Sequence, residues 1–198
     1  MSKLIFATKN EGKIKEVRNI FSDSGYKITS LLELDAKFEV EENDNTFEGN
    51  AKKKAIEVYN EYKIPVIADD SGIEVEQLNG VPGVYSARYA GENATDEDNN
   101  QKLLNELKNF SEPHYARYFC CAVYYDGENY IAEYGKVKGK IIMNPKGSRG
   151  FGYDPLFLPE GYDQTMAELS SEVKNSISHR GKAFNKLKEK IKILKEHL

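Results

Sequence analysis

Long apolar runs, separated cysteines and a basic surplus are all missing from this chain, and each absence excludes something. No apolar stretch in the 198 residues approaches the length of a membrane span. The opening MSKLIFATKN lacks the long apolar core of a secretory leader, so a cytoplasmic protein with no membrane attachment is expected. The only cysteines, Cys120 and Cys121, are adjacent in a strand-like run. Strand neighbours point to opposite faces, which argues against a disulfide between them, and no further ligand spacing suggests a metal. Two packed, reduced thiols are expected instead. A formal net charge of −4 speaks against a general nucleic-acid binder, while leaving room for a local basic pocket. There are no repeats, no low-complexity linkers and no shift of composition along the chain. A single domain over residues 1–198, in one or two lobes, is expected, with 39% hydrophobic residues to build its core.

What is present is organised around Ile67–Gly91, IADDSGIEVEQLNGVPGVYSARYAG. A short apolar run, Pro65–Ala68, leads into Asp69 and Asp70 and then Ser71-Gly72, predicting a buried strand that ends in two acids and a glycine turn. The chain returns as an alternating strand through Ile73 and Val75, turns at Pro82-Gly83 and delivers Ser86, Arg88 and Tyr89. Folding does not ask for two adjacent acids there. They repel unless a proton or cation lies between them, which is a first pointer to a divalent metal.

Upstream, Lys3–Thr8 reads as a strand, followed by a polar loop and a helix with Ile14, Val17, Ile20 and Phe21 on one face. Free N–H groups at a helix start form an anion site, to which Thr8, Asn10 and Lys13 add a hydroxyl, an amide and an ammonium. The Walker A pattern is absent, and a capped loop with a solvated lysine is the plainer alternative. Tyr26–Ser30 is a second strand. An acidic patch, Glu39 to Asp44, precedes a helix that Asn45 and Glu48 are expected to open as a capping box. Its apolar face is Phe47, Ala51, Ala55, Val58 and Tyr62. Asn50 and Lys54, one turn apart beside that face, can reach one ligand together. The acidic patch either serves solubility or adds a carboxylate to a metal held by Asp70.

Thr95 and Asp96 open a further helix through Leu103, Leu104 and Leu107. Two strands, Ala116–Tyr125 and Asn129–Lys138, follow around Asp126-Gly127-Glu128, a hairpin signal. Their tyrosines (Tyr118, Tyr124, Tyr125, Tyr130, Tyr134) suit sheet packing or an interface. Gly147–Pro155, GSRGFGYDP, is a glycine-rich turn in which backbone can approach a flat ligand and Phe151 or Tyr153 can stack on it; a tight structural loop is the alternative. Thr165–Leu169 reads as a short helical piece. Lys174 and Ser178–Lys182 precede a last helix with Ala183, Leu187, Ile191, Leu194 and Leu198 on one face. Basic residues at a helix start are unfavourable for the helix itself and suggest an anionic or carbonyl-bearing ligand. His114 and His197 have no such company and are expected at the surface. Strands alternate with helices, then form a hairpin, then give way to helices. That order predicts an α/β fold with a mixed sheet.

Four separated stretches, the Thr8–Lys13 loop, Thr46-Phe47 with Asn50-Ala51 and Lys54, Ala68–Gly91, and Phe151–Pro155 with Ser178–Lys182, together resemble the inosine/xanthosine triphosphate pyrophosphatase family. The match runs in order from residue 4 to about residue 184; ADDSG followed by PGVYSARYAG and the closing SHRGKA are its most specific parts. The resemblance implies a two-lobed α/β protein with a long mixed central sheet flanked by helices and an active-site cleft between lobes. It implies a homodimer and a Mg2+-dependent hydrolysis of inosine, deoxyinosine or xanthosine triphosphate to monophosphate and pyrophosphate. Residue by residue, Thr8, Lys9, Asn10, Glu11, Gly12, Lys13 and Lys54 would hold the triphosphate. Asp70 would be the catalytic carboxylate and a metal ligand, with Glu41 the first choice of second ligand ahead of Glu39 and Glu42, and Ser71 a substrate contact. Phe151, Gly152, Tyr153, Asp154, Lys174, His179 and Arg180 would enclose the base.

The residue chemistry is consistent with this: Lys13, Lys54 and helix N–H groups neutralise a polyphosphate, and donors from His179 or Arg180 suit the O6 of a 6-oxo purine. Alternatives are a related pyrophosphatase for other modified nucleotides, a nucleotide sensor without turnover and a nucleic-acid module. The His179-Arg180 donors weigh against the first, the paired acids against the second and net charge against the third.

Overall fold

The computed structural model describes residues 2–37 and 40–196. Its six strands form one mixed sheet in the order β2-β1-β3-β4-β5-β6. The chain divides into two units, the first made of Met1–Asp70, Cys120–Gly135 and His179–Leu198, the second of Ser71–Phe119 and Lys136–Ser178.

In the first unit, β1 (Ser2–Phe6) pairs in parallel with β2 (Tyr26–Ser30) and with the start of β3 (Val66–Val75). Helix α1 (Glu11–Ile20) begins where the Asn10 side chain accepts from the Lys13 N–H, and it buries Ile14, Glu16, Val17 and Ile20. Helix α2 (Phe47–Tyr62) is capped by Thr46, whose hydroxyl accepts from the Gly49 N–H. Asn45 was expected in that position. Thr46 takes it because Asp44 Oδ1 binds both the Thr46 N–H, at 2.8 Å, and its hydroxyl, at 2.7 Å, which fixes the hydroxyl beside the first helical residue. Helix α5 (His179–Glu196) buries Ala183, Phe184, Leu187 and Ile191, with Leu194 packed against the same core; Leu198 and His197 lie outside the described residues. Phe184 meets Phe6 edge-on, with ring centroids 5.6 Å apart, and Phe21 at 6.3 Å. Burial of each such ring contributes roughly 1.5–3 kcal/mol.

The central expectation about β3 needs correction. The strand does not stop at Asp69-Asp70 to turn at Gly72; it runs unbroken from Val66 to Val75. Gly72 serves a close approach instead, since a Cβ there would lie 2.2 Å from the Gly83 carbonyl oxygen and 2.4 Å from Ser86 Oγ.

In the second unit, α3 (Asp96–Leu107) opens on a complete capping box between Thr95 and Asp98 and buries Leu103, Leu104 and Leu107. These pack with Ile73, Val75, Tyr118, Val137, Ile141, Tyr153, Leu156, Phe157 and Met166. The two longest strands are β4 (His114–Tyr125) and β5 (Tyr130–Ile141), and β6 (Phe157–Pro159) pairs antiparallel with β5. Parallel and antiparallel pairs together make the expected mixed sheet.

Two further expectations are overturned. His114 is buried rather than on the surface, because it shares the inward face of β4 with Ala116 and Tyr118; its Nδ1 lies 2.6 Å from Gln77 Oε1. Thr165–Leu169 is a turn rather than helix, because its backbone is engaged elsewhere: the Ala167 N–H donates to the Asp154 carbonyl at 3.2 Å and the Ala167 carbonyl accepts from the Arg149 N–H at 3.1 Å. Helix α4 starts later, at Ser171–Ile177, and holds Lys174.

Candidate active site

The first unit gathers its chemistry on α1, α2, β3 and α5. At the start of α1, the Asn10 N–H donates to Thr8 Oγ1 at 3.1 Å, while Asn10 Oδ1 accepts from the Lys13 N–H at 2.9 Å. Lys9, Asn10 and Glu11 are exposed and Thr8, Gly12 and Lys13 half-buried. The Lys13 ammonium reaches both oxygens of Asp69 at 3.2 Å.

On α2, Asn50 and Lys54, one turn apart, are both buried and both act on Asp70. Asn50 Nδ2 donates to Asp70 Oδ2 at 3.0 Å and to the Asp44 carbonyl at 3.2 Å, while its Oδ1 accepts from the Asp44 N–H. Lys54 Nζ lies 3.0 Å from Glu42. Glu41 is exposed and accepts from Asn43 Nδ2 at 3.3 Å, whereas Glu39 lies outside the described residues.

Arg180 enters from the first turn of α5. Its Nε donates to Asp69 Oδ2 at 3.2 Å and its Nη1 to Glu16 at 2.7 Å. The sequence had grouped Arg180 with the base-binding residues; the structure brings it together with Lys13 and Asp69. Gly135 on β5 makes this possible, because a Cβ there would sit 2.0 Å from the His179 carbonyl oxygen. Glu16 is a partner that sequence reasoning missed. Its signal was a position three residues from Lys13 and inside the buried stripe of α1.

The electrostatics separate the two acids. Burial alone would raise the Asp69 carboxyl, but Lys13, Arg180 and Lys54 outweigh it and hold the group well below the usual carboxylate range. Cys120 Sγ, 3.8 Å away, adds a weak donor. Asp70 moves the other way. Burial, reinforced by Glu42 and opposed by Lys54, Lys13 and the Asn50 amide, pushes its carboxyl above the usual value. Burial disfavours the Lys54 ammonium, yet Asp70, Glu42 and Asp69 keep it charged. Arg180 is likewise buried against its charge and held cationic by Asp69 and Glu16. The repulsion inferred from two adjacent acids is thus relieved at Asp69 by the protein's own cations. Asp70 is the carboxylate of higher proton affinity.

The second unit holds the remaining residues. Asp154 Oδ2 accepts from the Phe151 N–H at 3.0 Å and from Lys174 Nζ at 2.6 Å, and the same ammonium stands 4.9 Å from the Phe151 ring centroid. Phe151, Asp154 and Lys174 therefore form one cluster. Tyr153 packs into the core of this unit and its hydroxyl donates to the Ser86 carbonyl at 2.8 Å. Ser71 is half-buried on β3.

Carboxylate oxygens of the Asp70 and Glu41 type are hard donors that suit magnesium, which usually takes one or two from protein and the rest from water and phosphate. Among the described residues no group of three or more His, Cys, Asp or Glu side chains forms a self-sufficient metal cage. The acid that acts on Asp70 from this patch is Glu42, whereas Glu41 is bonded to Asn43; a single buried carboxylate such as Asp70 suits an ion shared with a phosphorylated ligand.

One mixed α/β fold thus carries a capped helix start, two lysines and a buried, amide-held carboxylate. The Ham1 family model matches residues 4–190, and the chain belongs to the Ham1 family. A Clostridium tetani protein named dITP/XTP pyrophosphatase is 45% identical over 196 residues, covering 97% of each chain. A Clostridium perfringens protein of the same name is 48% identical over 201 residues, covering 97% of this chain and 98% of its own. The solved Ham1 protein of Staphylococcus aureus superposes with a TM-score of 0.85 at 43% identity, covering 96% of this chain and 98% of its own. The Coxiella burnetii HAM1 structure gives 0.87 at 34% identity over 99% and 100%.

Proposed function

We propose that this protein hydrolyses non-standard purine nucleoside triphosphates, those of inosine, deoxyinosine and xanthosine, to the monophosphate and pyrophosphate, and so removes them from the nucleotide pool. The observation that carries the reading is Asp70: a buried carboxylate held by Asn50 at 3.0 Å and influenced by the ammoniums of Lys54 and Lys13. Near-full-length likeness to proteins named dITP/XTP pyrophosphatase supports it.

Lys13, Lys54 and the α1 N–H groups neutralise the triphosphate. Asp70 accepts a proton from the water that attacks the α-phosphorus, and pyrophosphate leaves as the bond to its bridging oxygen breaks. Asp70, with Glu41 as second ligand, would hold a magnesium ion, which would supply charge neutralisation and a more acidic water. The Phe151 ring stacks on the base, with Lys174 and Asp154 fixing it. On the likeness to the dITP/XTP pyrophosphatases, His179 and Arg180 are assigned as donors to O6. A required hydrogen bond of this kind discriminates by roughly 10⁴ or more against a base that presents a donor there.

The reading extends to a homodimer in a cytoplasmic setting. Among the described residues no helix is long and apolar enough to cross a membrane, and the exposed Tyr85 of the Pro82–Gly91 segment or Tyr134 of the tyrosine-bearing hairpin offers an apolar surface for a second copy. A monomer in sedimentation at micromolar concentration would remove the dimer.

The deciding experiment is pyrophosphate release from inosine, deoxyinosine, xanthosine, guanosine and adenosine triphosphates, with and without magnesium. Fast, metal-dependent release from the first three is expected. Equal rates on all five would leave the chemistry and remove the selectivity; binding without release would make the protein a sensor.

A further inference from the structure

The Phe151 loop is gripped from the first turns of α3 in a way that the activity just described does not account for. Asp96 and Asn100 are four positions apart on that helix and so share a face. The Gly152 N–H donates to Asp96 Oδ2 at 2.6 Å, and Asn100 Nδ2 donates to the Gly152 carbonyl at 3.1 Å. One helix face therefore holds both polar groups of one residue, at a backbone φ of +62°. The neighbours are fixed as well: the Phe151 N–H by Asp154 and the Tyr153 hydroxyl by Ser86. The ring of Phe151, half-buried, stands on backbone anchored on either side.

Asn100 is 7% exposed, and its Oδ1 has no hydrogen-bond partner among the described residues. A buried amide with an unsatisfied oxygen is costlier than a leucine of similar size. Packing alone would not select it. What the amide supplies that leucine lacks is the bond to Gly152.

We propose that Asp96 and Asn100 are positioning residues that set the pose of the Phe151 ring and thereby control which purine triphosphates are accepted, without entering the phosphate chemistry. The selectivity half of this rests on the reading of Phe151 as a base contact.

The chain has no tryptophan, so Phe151→Trp installs a single fluorescent reporter at the ring itself. In that background, Asp96→Ala and Asn100→Leu are expected to raise acrylamide quenching about twofold, while Asp96→Asn, which keeps an acceptor oxygen, restores it. Unchanged quenching overturns the positioning role. In the otherwise native chain, Asp96→Ala and Asn100→Leu are expected to raise KM for inosine triphosphate about tenfold, the loss of one hydrogen bond. kcat should stay within about twofold and the preference over adenosine triphosphate should fall by about tenfold. Greater quenching with selectivity unchanged, or kcat falling equally on every substrate, overturns the specificity role. A wild type that releases no pyrophosphate overturns the functional reading and the selectivity claim with it, while the quenching result still decides positioning.

Discussion

Arg180 and Asp69 form a buried ion pair across 111 positions of sequence, with Nε 3.2 Å from Oδ2. The two residues are 2% and 1% exposed. Lys13 and Glu16 complete the group from α1, so the acid beside the proposed catalytic carboxylate is locked by three elements that the chain order keeps apart.

Removing one member leaves an uncompensated buried charge. Arg180→Met is expected to destabilise the fold by about 3–5 kcal/mol, with Asp69→Asn in the same range. Urea unfolding followed by circular dichroism reads this. A midpoint unchanged in both variants would show that the group is not structural.

Asp70 behaves differently, because its surroundings already disfavour the charge. Asp70→Asn keeps a side chain of the same shape beside Asn50 and is expected to unfold at no lower a temperature than wild type. Turnover of inosine triphosphate should fall by on the order of 10²–10⁴. Lys54→Met should instead raise KM, since it removes a cation and not a proton acceptor. A stable Asp70→Asn protein with undiminished turnover would falsify the catalytic assignment.

The cysteines give a pH-dependent signature. Burial, with Glu48 and the two β3 acids beside it, pushes the Cys121 thiol up to about 12, and burial holds Cys120 high as well. Both are free and buried. Because the folded value lies above the unfolded one of about 8.5, this contribution to stability is complete below about pH 8.5 and is lost as pH rises toward the folded value. Native protein should therefore resist iodoacetamide at pH 8, label rapidly in denaturant, and lose stability between pH 9 and 11 less steeply when Cys121 is serine. Rapid native labelling would contradict the buried, neutral thiol.

Gly135→Ala tests the seat of α5. Its new methyl would press on the His179 carbonyl and the Ala183 N–H, which at the usual expense of overpacking lowers stability by about 1–3 kcal/mol. Displacement of Arg180 should add a loss of turnover that alanine at the exposed Gly161 turn, strained by its φ of +83° but touching nothing, does not produce. Thermal melts and initial rates on the two variants separate these effects.

Local chemistry was what the sequence displayed well. The spacing of Asn50 and Lys54 put both on one side of their helix, and in the structure both act on Asp70; the helix start after Thr8 was visible too, with Asn10 as its cap a finding of the structure. Pairings between distant segments were illegible. Nothing near Asp69 in sequence names Arg180 or Glu16, so two adjacent acids looked mutually repulsive when one is already compensated. Gly72 read as a turn because a glycine after acids usually is one, and only the approach of the Gly83 carbonyl reveals otherwise. His114 looked solvated because its partner, Gln77, lies on another segment. Tyr153 looked like a twin of Phe151, but its hydroxyl is bound to the Ser86 carbonyl and its ring belongs to the core.

The three-segment make-up of the first unit bears on synthesis. Asp69 leaves the ribosome about 110 residues before Arg180, an interval of roughly 5–20 s at ordinary elongation rates. Through that time its charge has only the lysines Lys13 and Lys54 for company, and the core that Phe6 and Phe21 build with Phe184 is open. A nascent chain therefore carries the whole of β3 and both proposed phosphate lysines without the arginine that locks the first acid. Competence arrives late, with α5, and a chaperone that shelters the early strands has that interval in which to act.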